Sequence, residues 1–317
     1  MKNDKKHIKM WKKVLCVILV ILAIIALALG IVYLYADNKV DIRTGYNEQI
    51  ETGGEIESTY LQFGNFNVKK ITKKAEAPIK KYTIYYPEII EQDNKKYPLI
   101  LMVNGTGGKA SKYEPQFELF ASWGFIIIGN QDKGTGTGET TIKTLQYMLA
   151  ENDNPNSIFY QKIDIDNIGI TGFSQGGAAV FNAITKYEES TLFKAAAPLS
   201  PVSEAMTALA TDYTYDSSKV KCPILILTGT EGDFETKTVI PFELLKQQYD
   251  KITAPKVMAR RTGMDHDHMM YSAGGYVIAW FRWQLMNDQK AAGAFVGDNP
   301  ELLTNKIYQD QRITLGE

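Results

Sequence analysis

Short apolar runs alternate along this chain with segments of helical periodicity. The runs predict strands, at Tyr82–Tyr86, Leu99–Val103, Phe125–Gly129, Ile168–Thr171, Ala195–Leu199, Ile224–Thr228 and Lys256–Ala259. The segments between them predict helices, at Glu114–Trp123, Thr140–Glu151, Gly176–Lys186, Ile240–Lys251 and Gly275–Met286. Near-continuous apolar strands separated by helices are typical of a mostly parallel sheet covered on both faces. The pattern therefore predicts one α/β domain.

The N-terminal pattern differs, because residues 14–36 form an uncharged and almost wholly apolar run of 23 residues. As a helix it would be about 34 Å long, enough to cross a bilayer core. Lysines precede the run, so the positive-inside rule predicts a cytoplasmic N-terminus and an extracytoplasmic remainder. A cleaved signal peptide is the alternative, since Ala26-Leu27-Ala28 resembles a cleavage site. The length of the run favours an uncleaved signal anchor in the cell membrane.

This pattern predicts four regions. They are a basic cytoplasmic segment over residues 1–13, a transmembrane signal anchor over 14–36, a juxtamembrane linker with entry strands over 37–80, and the α/β domain over 81–317.

Charge and cysteine content narrow the function classes. The whole chain has a net charge of −1, but residues 1–13 carry six lysines and one aspartate, which leaves the remainder near −6. An acidic body argues against nucleic acid as a partner, because phosphate binding needs clustered cations. Only Cys16 and Cys222 are present, and the first lies in the apolar run. We expect no intrachain disulfide and no cysteine metal cluster.

The most informative motif is Gly172-Phe-Ser174-Gln-Gly176, which follows an apolar run and precedes small helix-forming residues. Gly-x-Ser-x-Gly in this context is typical of a nucleophile elbow, a sharp strand-to-helix turn that lifts a serine hydroxyl above a sheet. The glycines suit the strained turn because a side chain there would collide with backbone. Ser174 is therefore the predicted nucleophile.

A serine nucleophile needs a base and a group that orients the base. His7 precedes the apolar run, so the base must be His266 or His268. Asp233, in the polar turn after Ile224–Thr228, is the predicted acid, with Glu231 second. The order Ser, Asp, His is that of α/β-hydrolase triads. A metal site at the two histidines is disfavoured, because its ligands would be confined to one loop.

Stabilisation of a developing oxyanion requires backbone N–H donors. One predicted donor is the amide of Gln175, directly after the nucleophile. The other is expected in the glycine-rich loop Asn104–Gly108 that follows an early strand. Thr106 is the first choice for this donor and Gly107 the second.

Together these residues resemble the α/β-hydrolase superfamily, over roughly residues 82–295. The resemblance is strongest to the branch of dienelactone hydrolases, platelet-activating-factor acetylhydrolases and bacterial cutinase-like polyesterases. It is carried by Asn104–Gly108, Leu119–Phe125, Gly172–Gly177, Gly229–Asp233, Gly263–His266 and the helix that ends at Asp288. It implies Ser174 as nucleophile, Asp233 as acid and His266 as base, with Thr106 and Gln175 at the oxyanion positions. Two positions depart from the pattern: Asn104 stands where many members carry histidine, and Val202 where cutinase-like polyesterases tend to carry an aromatic residue.

The resemblance implies a serine hydrolase that cleaves carboxylic esters through an acyl-enzyme. The apolar N-terminal run adds the expectation that this hydrolase is membrane-anchored and extracytoplasmic. The expected substrate is a small-molecule, lipid or cell-envelope ester, and no cofactor or metal is needed. The same residues are compatible with a peptidase or amidase and with an acyltransferase. A non-catalytic binding or scaffolding protein on this fold is the alternative from another class.

Overall fold

A computed structural model describes residues 2–39 and 42–316. The chain divides into two compact units, Met1–Asp41 and Ile42–Glu317.

The first unit contains one long helix, α1 (Lys2–Asn38). Its apolar part, Leu15–Tyr35, is 21 residues long and its side chains are exposed. At about 1.5 Å per residue this part is some 31 Å long. The helix thus fits a single transmembrane helix by length and composition, as the sequence predicts, and signal sequences share these properties.

The second unit is built on a mixed sheet, with nine strands among the described residues in the order β1-β2-β4-β3-β5-β6-β7-β8-β9. The strands are β1 (Val68–Lys74), β2 (Lys81–Pro87), β3 (Tyr97–Val103), β4 (Ile126–Asn130), β5 (Ile163–Phe173), β6 (Phe193–Leu199), β7 (Ile224–Gly229), β8 (Lys256–Arg261) and β9 (Tyr308–Thr314). Strands β3 to β8 are parallel to one another. The remaining pairs, β1 with β2, β2 with β4 and β8 with β9, are antiparallel. All seven predicted strands are present, and the carboxyl ends of β3, β5, β7 and β8 meet at one edge.

Helices cover both faces of the sheet and enclose an apolar layer on each side. They are α2 (Glu55–Leu61), α3 (Glu114–Ser122), α4 (Glu139–Asp153), α5 (Gln175–Lys186), α6 (Glu204–Ala210), α7 (Phe242–Lys251), α8 (His266–Ser272), α9 (Gly274–Met286), α10 (Gln289–Ala292) and α11 (Glu301–Thr304). The five predicted helices appear as α3, α4, α5, α7 and α9, with boundaries shifted by one or two residues. Burial on both sides explains why the central strands are apolar along their whole length.

The segment predicted as linker and entry strands is more ordered than its polar composition suggests. From Ile42 onward it belongs to the compact second unit. Helix α2 lies against α9, and its Glu57 is fully buried. There Glu57 Oε1 accepts a 2.8 Å hydrogen bond from Arg261 Nη1 and a 3.0 Å bond from Tyr308 Oη. A buried charge is tolerated only when it is paired in this way, so this ion pair is one of the contacts that hold the polar segment on the rest of the unit.

Candidate active site

Ser174 occupies the turn between β5 and α5 with φ 59° and ψ −121°, a strained backbone for a residue with a side chain. The flanking glycines explain how the turn forms. A Cβ on Gly172 would lie 2.5 Å from Gly176 O, and one on Gly176 would lie 2.3 Å from Val103 O. Only glycine lets the elbow close this tightly and approach the end of β3.

His266 meets the Ser174 hydroxyl from the start of α8. Its Nε2 lies 2.9 Å from Ser174 Oγ, and both side chains are buried. The imidazole packs beside Phe173, with ring centroids 4.6 Å apart, and against the edge of Phe234 at 5.0 Å. These contacts hold the ring where its nitrogen reaches the hydroxyl.

The carboxylate that meets His266 is Glu235, and this corrects the sequence prediction of Asp233. Glu235 Oε2 lies 2.6 Å from His266 Nδ1, and Glu235 is fully buried. Its Oε1 accepts hydrogen bonds from Ser200 Oγ at 2.6 Å and from the Gly229 N–H at 2.7 Å. By contrast, the Asp233 side chain is 82% exposed and forms an ion pair with Lys237 at 2.8 Å. Glu231, the second choice, is also exposed.

The reason for this difference lies in the local backbone after β7. The N–H groups of Thr230 and Glu231 both donate to Met264 O, which folds the turn over the histidine loop. The chain then forms a π-helix over Phe234–Val239, in which the Ile240 N–H donates to Glu235 O. π-Helical turns are rare and concentrate at functional sites. This turn directs Glu235 inward and leaves Asp233 in solvent.

The second histidine of the loop lies outside this line of hydrogen bonds. His268 Nδ1 lies 2.5 Å from Asp265 Oδ1, and both side chains are about half exposed. Asp265 also accepts a 3.0 Å bond from the His268 N–H and so caps the N-terminus of α8.

Both predicted oxyanion donors lie near the serine. Gln175 is the first residue of α5, where a helix leaves its N–H unpaired. A Cβ on Gly105 would be 3.4 Å from Ser174 Cβ, so the loop that carries Thr106 passes close to the nucleophile. The N–H of Gly107, the second choice, already donates to Lys133 O at 3.0 Å. Within the described residues, no such bond occupies the N–H of Thr106.

The side chain of Asn104 braces this loop. Asn104 is buried, and its Nδ2 donates to Asn130 O and Asp132 O, both at 2.9 Å. Its backbone carbonyl accepts a 2.7 Å bond from Thr135 Oγ1. The residue that departs from the superfamily pattern therefore ties the loop after β3 to the loop after β4.

A narrow apolar cleft lies next to the nucleophile, behind Phe173. Its cavity volume is about 20 Å³, which is room for roughly one water molecule. The residues that line it are mostly apolar: Met102, Val103, Gly105, Tyr113, Gln116, Phe120, Thr171, Gly172, Phe173, Leu199, Met270, Gly274 and Val277. Among residues 2–39 and 42–316, no cluster of three or more histidine, cysteine, aspartate or glutamate side chains is arranged to hold a metal ion.

A doubly covered, mostly parallel sheet with a serine elbow at the end of a central strand defines an α/β hydrolase. The model of the PETase family, described as PET hydrolase-like, matches residues 52–313. The chain therefore belongs to this family, which supports a hydrolase acting on carboxylic esters. No curated protein matches the chain significantly.

Proposed function

We propose that this protein is a serine hydrolase that cleaves carboxylic esters with Ser174, His266 and Glu235. The observation that carries the proposal is the line of short hydrogen bonds from Glu235 through His266 to a serine on a strained elbow. A nucleophile, a base and a group that orients the base are the three parts of a catalytic triad.

In the proposed reaction Ser174 Oγ attacks the ester carbonyl while His266 Nε2 takes its proton. Glu235 holds the proton on Nδ1 and stabilises the imidazolium that forms. The tetrahedral intermediate then collapses, and the alcohol leaves with the proton from Nε2. Water, deprotonated by His266, attacks the acyl-enzyme and releases the acid, which restores Ser174.

The oxyanion of each tetrahedral intermediate accepts hydrogen bonds from the N–H groups of Thr106 and Gln175. These N–H groups stabilise the oxyanion because the fold fixes them in place before the negative charge develops. The Asn104 brace contributes to this by holding the Thr106 loop against the loop after β4.

We also propose that α1 anchors the protein in the cell membrane with the hydrolase unit outside the cytoplasm. Lysines before an uncharged span of this length support this orientation. The small number of cysteines is compatible with either side of the membrane.

The test is hydrolysis of p-nitrophenyl acetate and butyrate by the full chain in detergent, alongside Ser174→Ala. We expect turnover by the wild type and a fall to background in the variant, because the nucleophile is lost. Labelling by a fluorophosphonate probe should be lost in parallel. Equal turnover by both proteins would remove Ser174 from the mechanism, and an inactive, unlabelled wild type would favour a non-catalytic binding protein.

A further inference from the structure

We propose that the mouth of this active site works at the surface of a lipid bilayer and takes esters carried by membrane amphiphiles. The proposal rests on the proposed serine esterase and on α1 as its anchor. It adds a substrate class and an interaction surface, which rest on contacts within the second unit and on the covalent length of the chain.

The first observation is the place where the chain enters the second unit. Ile42 is buried, and its N–H donates to Lys112 O at 3.4 Å. Lys112 ends a short helical turn, Ala110–Lys112, that directly follows the oxyanion loop. The entry point therefore packs on the turn that follows the loop of Thr106.

The next residues of the entry segment contact the histidine segment. The ring of Tyr46 lies 6.3 Å from the ring of Tyr271, in an edge-on arrangement. Tyr271 belongs to α8, whose first residue is His266. The entry segment thus contacts the turn that follows the Thr106 loop and the helix that begins with His266. Both elements follow carboxyl ends of strands, at the edge of the sheet where Ser174 lies.

The second observation is the length of chain between the apolar span and this entry point. Six residues, 36–41, separate Tyr35 from Ile42. At no more than about 3.6 Å per residue, they extend about 25 Å at most. Whatever the arrangement of the two units, an anchored chain cannot carry its entry point further than this from the end of the span.

The third observation is the exposed apolar surface around the site. Outside α1, the two most exposed large hydrophobic side chains among the described residues are Leu209, at 81%, and Phe234, at 59%. Phe234 packs against His266. Leu209 lies near the end of α6, which follows the segment whose Val202 N–H donates to Ser174 O at 3.3 Å. An exposed phenylalanine ring on the histidine of a tethered active site, with an exposed leucine on a helix that follows a segment bonded to the nucleophile, fits a lipid surface as partner.

Charge at the mouth indicates which lipid to use as the probe. Glu231 and Asp267 are exposed, and Asp233 is exposed but paired with Lys237. Anionic lipid would repel the first two carboxylates, so zwitterionic phosphatidylcholine is the suitable vesicle.

The experiment compares two substrates with the full chain reconstituted in phosphatidylcholine vesicles. One is 4-methylumbelliferyl oleate dissolved in the bilayer, and the other is p-nitrophenyl acetate in water. The measured quantity is the ratio of the two rates. A 20-residue Gly/Ser insertion between Lys39 and Val40 lengthens the tether without altering the site. A longer flexible tether dilutes the site only along the bilayer normal, between roughly the −1/2 and −1 power of tether length, so we expect this ratio to fall about two- to fourfold.

A surface variant tests the same idea independently of the tether. Leu209→Asp should lower the ratio several-fold, because a charge replaces an apolar side chain at the interface. The matched control is Ile165→Asp, an isoleucine that is 42% exposed near the start of β5. It lies nine residues before Ser174, and the six residues from Ile168 to Ser174 alone extend about 20 Å along the strand, so its ratio should equal that of the wild type.

Two outcomes overturn the inference and leave the proposed serine esterase activity standing. One is hydrolysis of both esters with a ratio that neither the insertion nor Leu209→Asp lowers by more than about 1.5-fold. The other is a mature protein, in cells, that has lost α1. Hydrolysis of both esters by Ser174→Ala at the wild-type rate would instead overturn the proposed function itself.

Discussion

Two carboxylate–histidine pairs lie within one loop region of this protein and differ only slightly in length. Glu235 Oε2 and His266 Nδ1 are 2.6 Å apart, and Asp265 Oδ1 and His268 Nδ1 are 2.5 Å apart. The first pair is buried and the second is about half exposed. Distance alone would give both pairs the same role.

The third partners of the two pairs separate them. The second nitrogen of His266 reaches Ser174 Oγ, while Glu235 accepts two further bonds, from Ser200 and Gly229. Asp265 instead accepts a hydrogen bond from the N–H of His268 and caps the N-terminus of α8. Water screens the exposed pair, whereas the buried pair acts in a low dielectric on a fixed geometry. The comparison shows that burial, and the group that the second histidine nitrogen contacts, indicate which pair can take part in a reaction. The distance within each pair does not distinguish them.

The largest expected effect is the difference between the two histidines. His266→Ala should lower kcat for p-nitrophenyl butyrate at least about 10³-fold more than His268→Ala, because triad deletions elsewhere have costs of this size. Steady-state kinetics on both variants measure the difference. Comparable losses would mean that the exposed pair belongs to the mechanism.

The next effect separates Glu235, the carboxylate that contacts His266, from Asp233, the acid that the sequence predicts. Glu235→Gln keeps the shape of the side chain but removes the charge that orients His266 and stabilises its imidazolium. We expect kcat to fall between about 10²- and 10⁴-fold, by analogy with amide substitution in other triads. Asp233→Asn is the matched control and should change kcat less than twofold, since Asp233 contacts Lys237 at the surface. A large loss of kcat in Asp233→Asn, with Glu235→Gln still active, would instead support Asp233 as the acid of the triad.

The same contrast shows how much of this arrangement the sequence can predict. The elbow at Ser174 and its contact with His266 can be predicted, because the elbow has a compact motif and the chain has few histidines. The contact of Glu235 cannot, because a π-helical turn moves the inward-facing position two residues beyond Asp233, and no apolar periodicity marks such a turn. Likewise β9 and α2 carry polar sequences. Their place depends on long-range contacts such as the Glu57–Arg261 ion pair, which local patterns do not contain.

A smaller effect is expected from the hydrogen bond behind Glu235. Ser200→Ala removes a 2.6 Å donor to a buried carboxylate, and hydrogen bonds to charged groups contribute roughly 1.5–3 kcal/mol. We expect kcat to fall about tenfold with KM nearly unchanged, because Glu235 keeps Gly229 and His266 as partners. Ser218→Ala removes a bond of equal length to Asp216 at the surface and should have no effect on kcat. Equal losses of kcat in Ser200→Ala and Ser218→Ala would mean that burial of the hydrogen bond between Ser200 and Glu235 does not strengthen it.

The smallest effect belongs to the exposed pair and should appear in stability rather than in turnover. Burial alone would raise the pKa of Asp265, but hydrogen bonds from His268 outweigh it and hold this pKa below its usual value. Since the folded pKa is depressed, the stabilisation is present above the unfolded value of about 3.9 and is lost as pH falls through the folded pKa. Asp265→Ala should therefore lower the free energy of unfolding by about 1 kcal/mol at pH 7, the usual cost of a lost N-cap. Urea unfolding at pH 7 and pH 3 measures this, and the difference from the wild type should shrink at the lower pH. A loss of turnover at pH 7 as large as that of Glu235→Gln would instead show that the cap of α8 positions His266, and that the two pairs act as one unit.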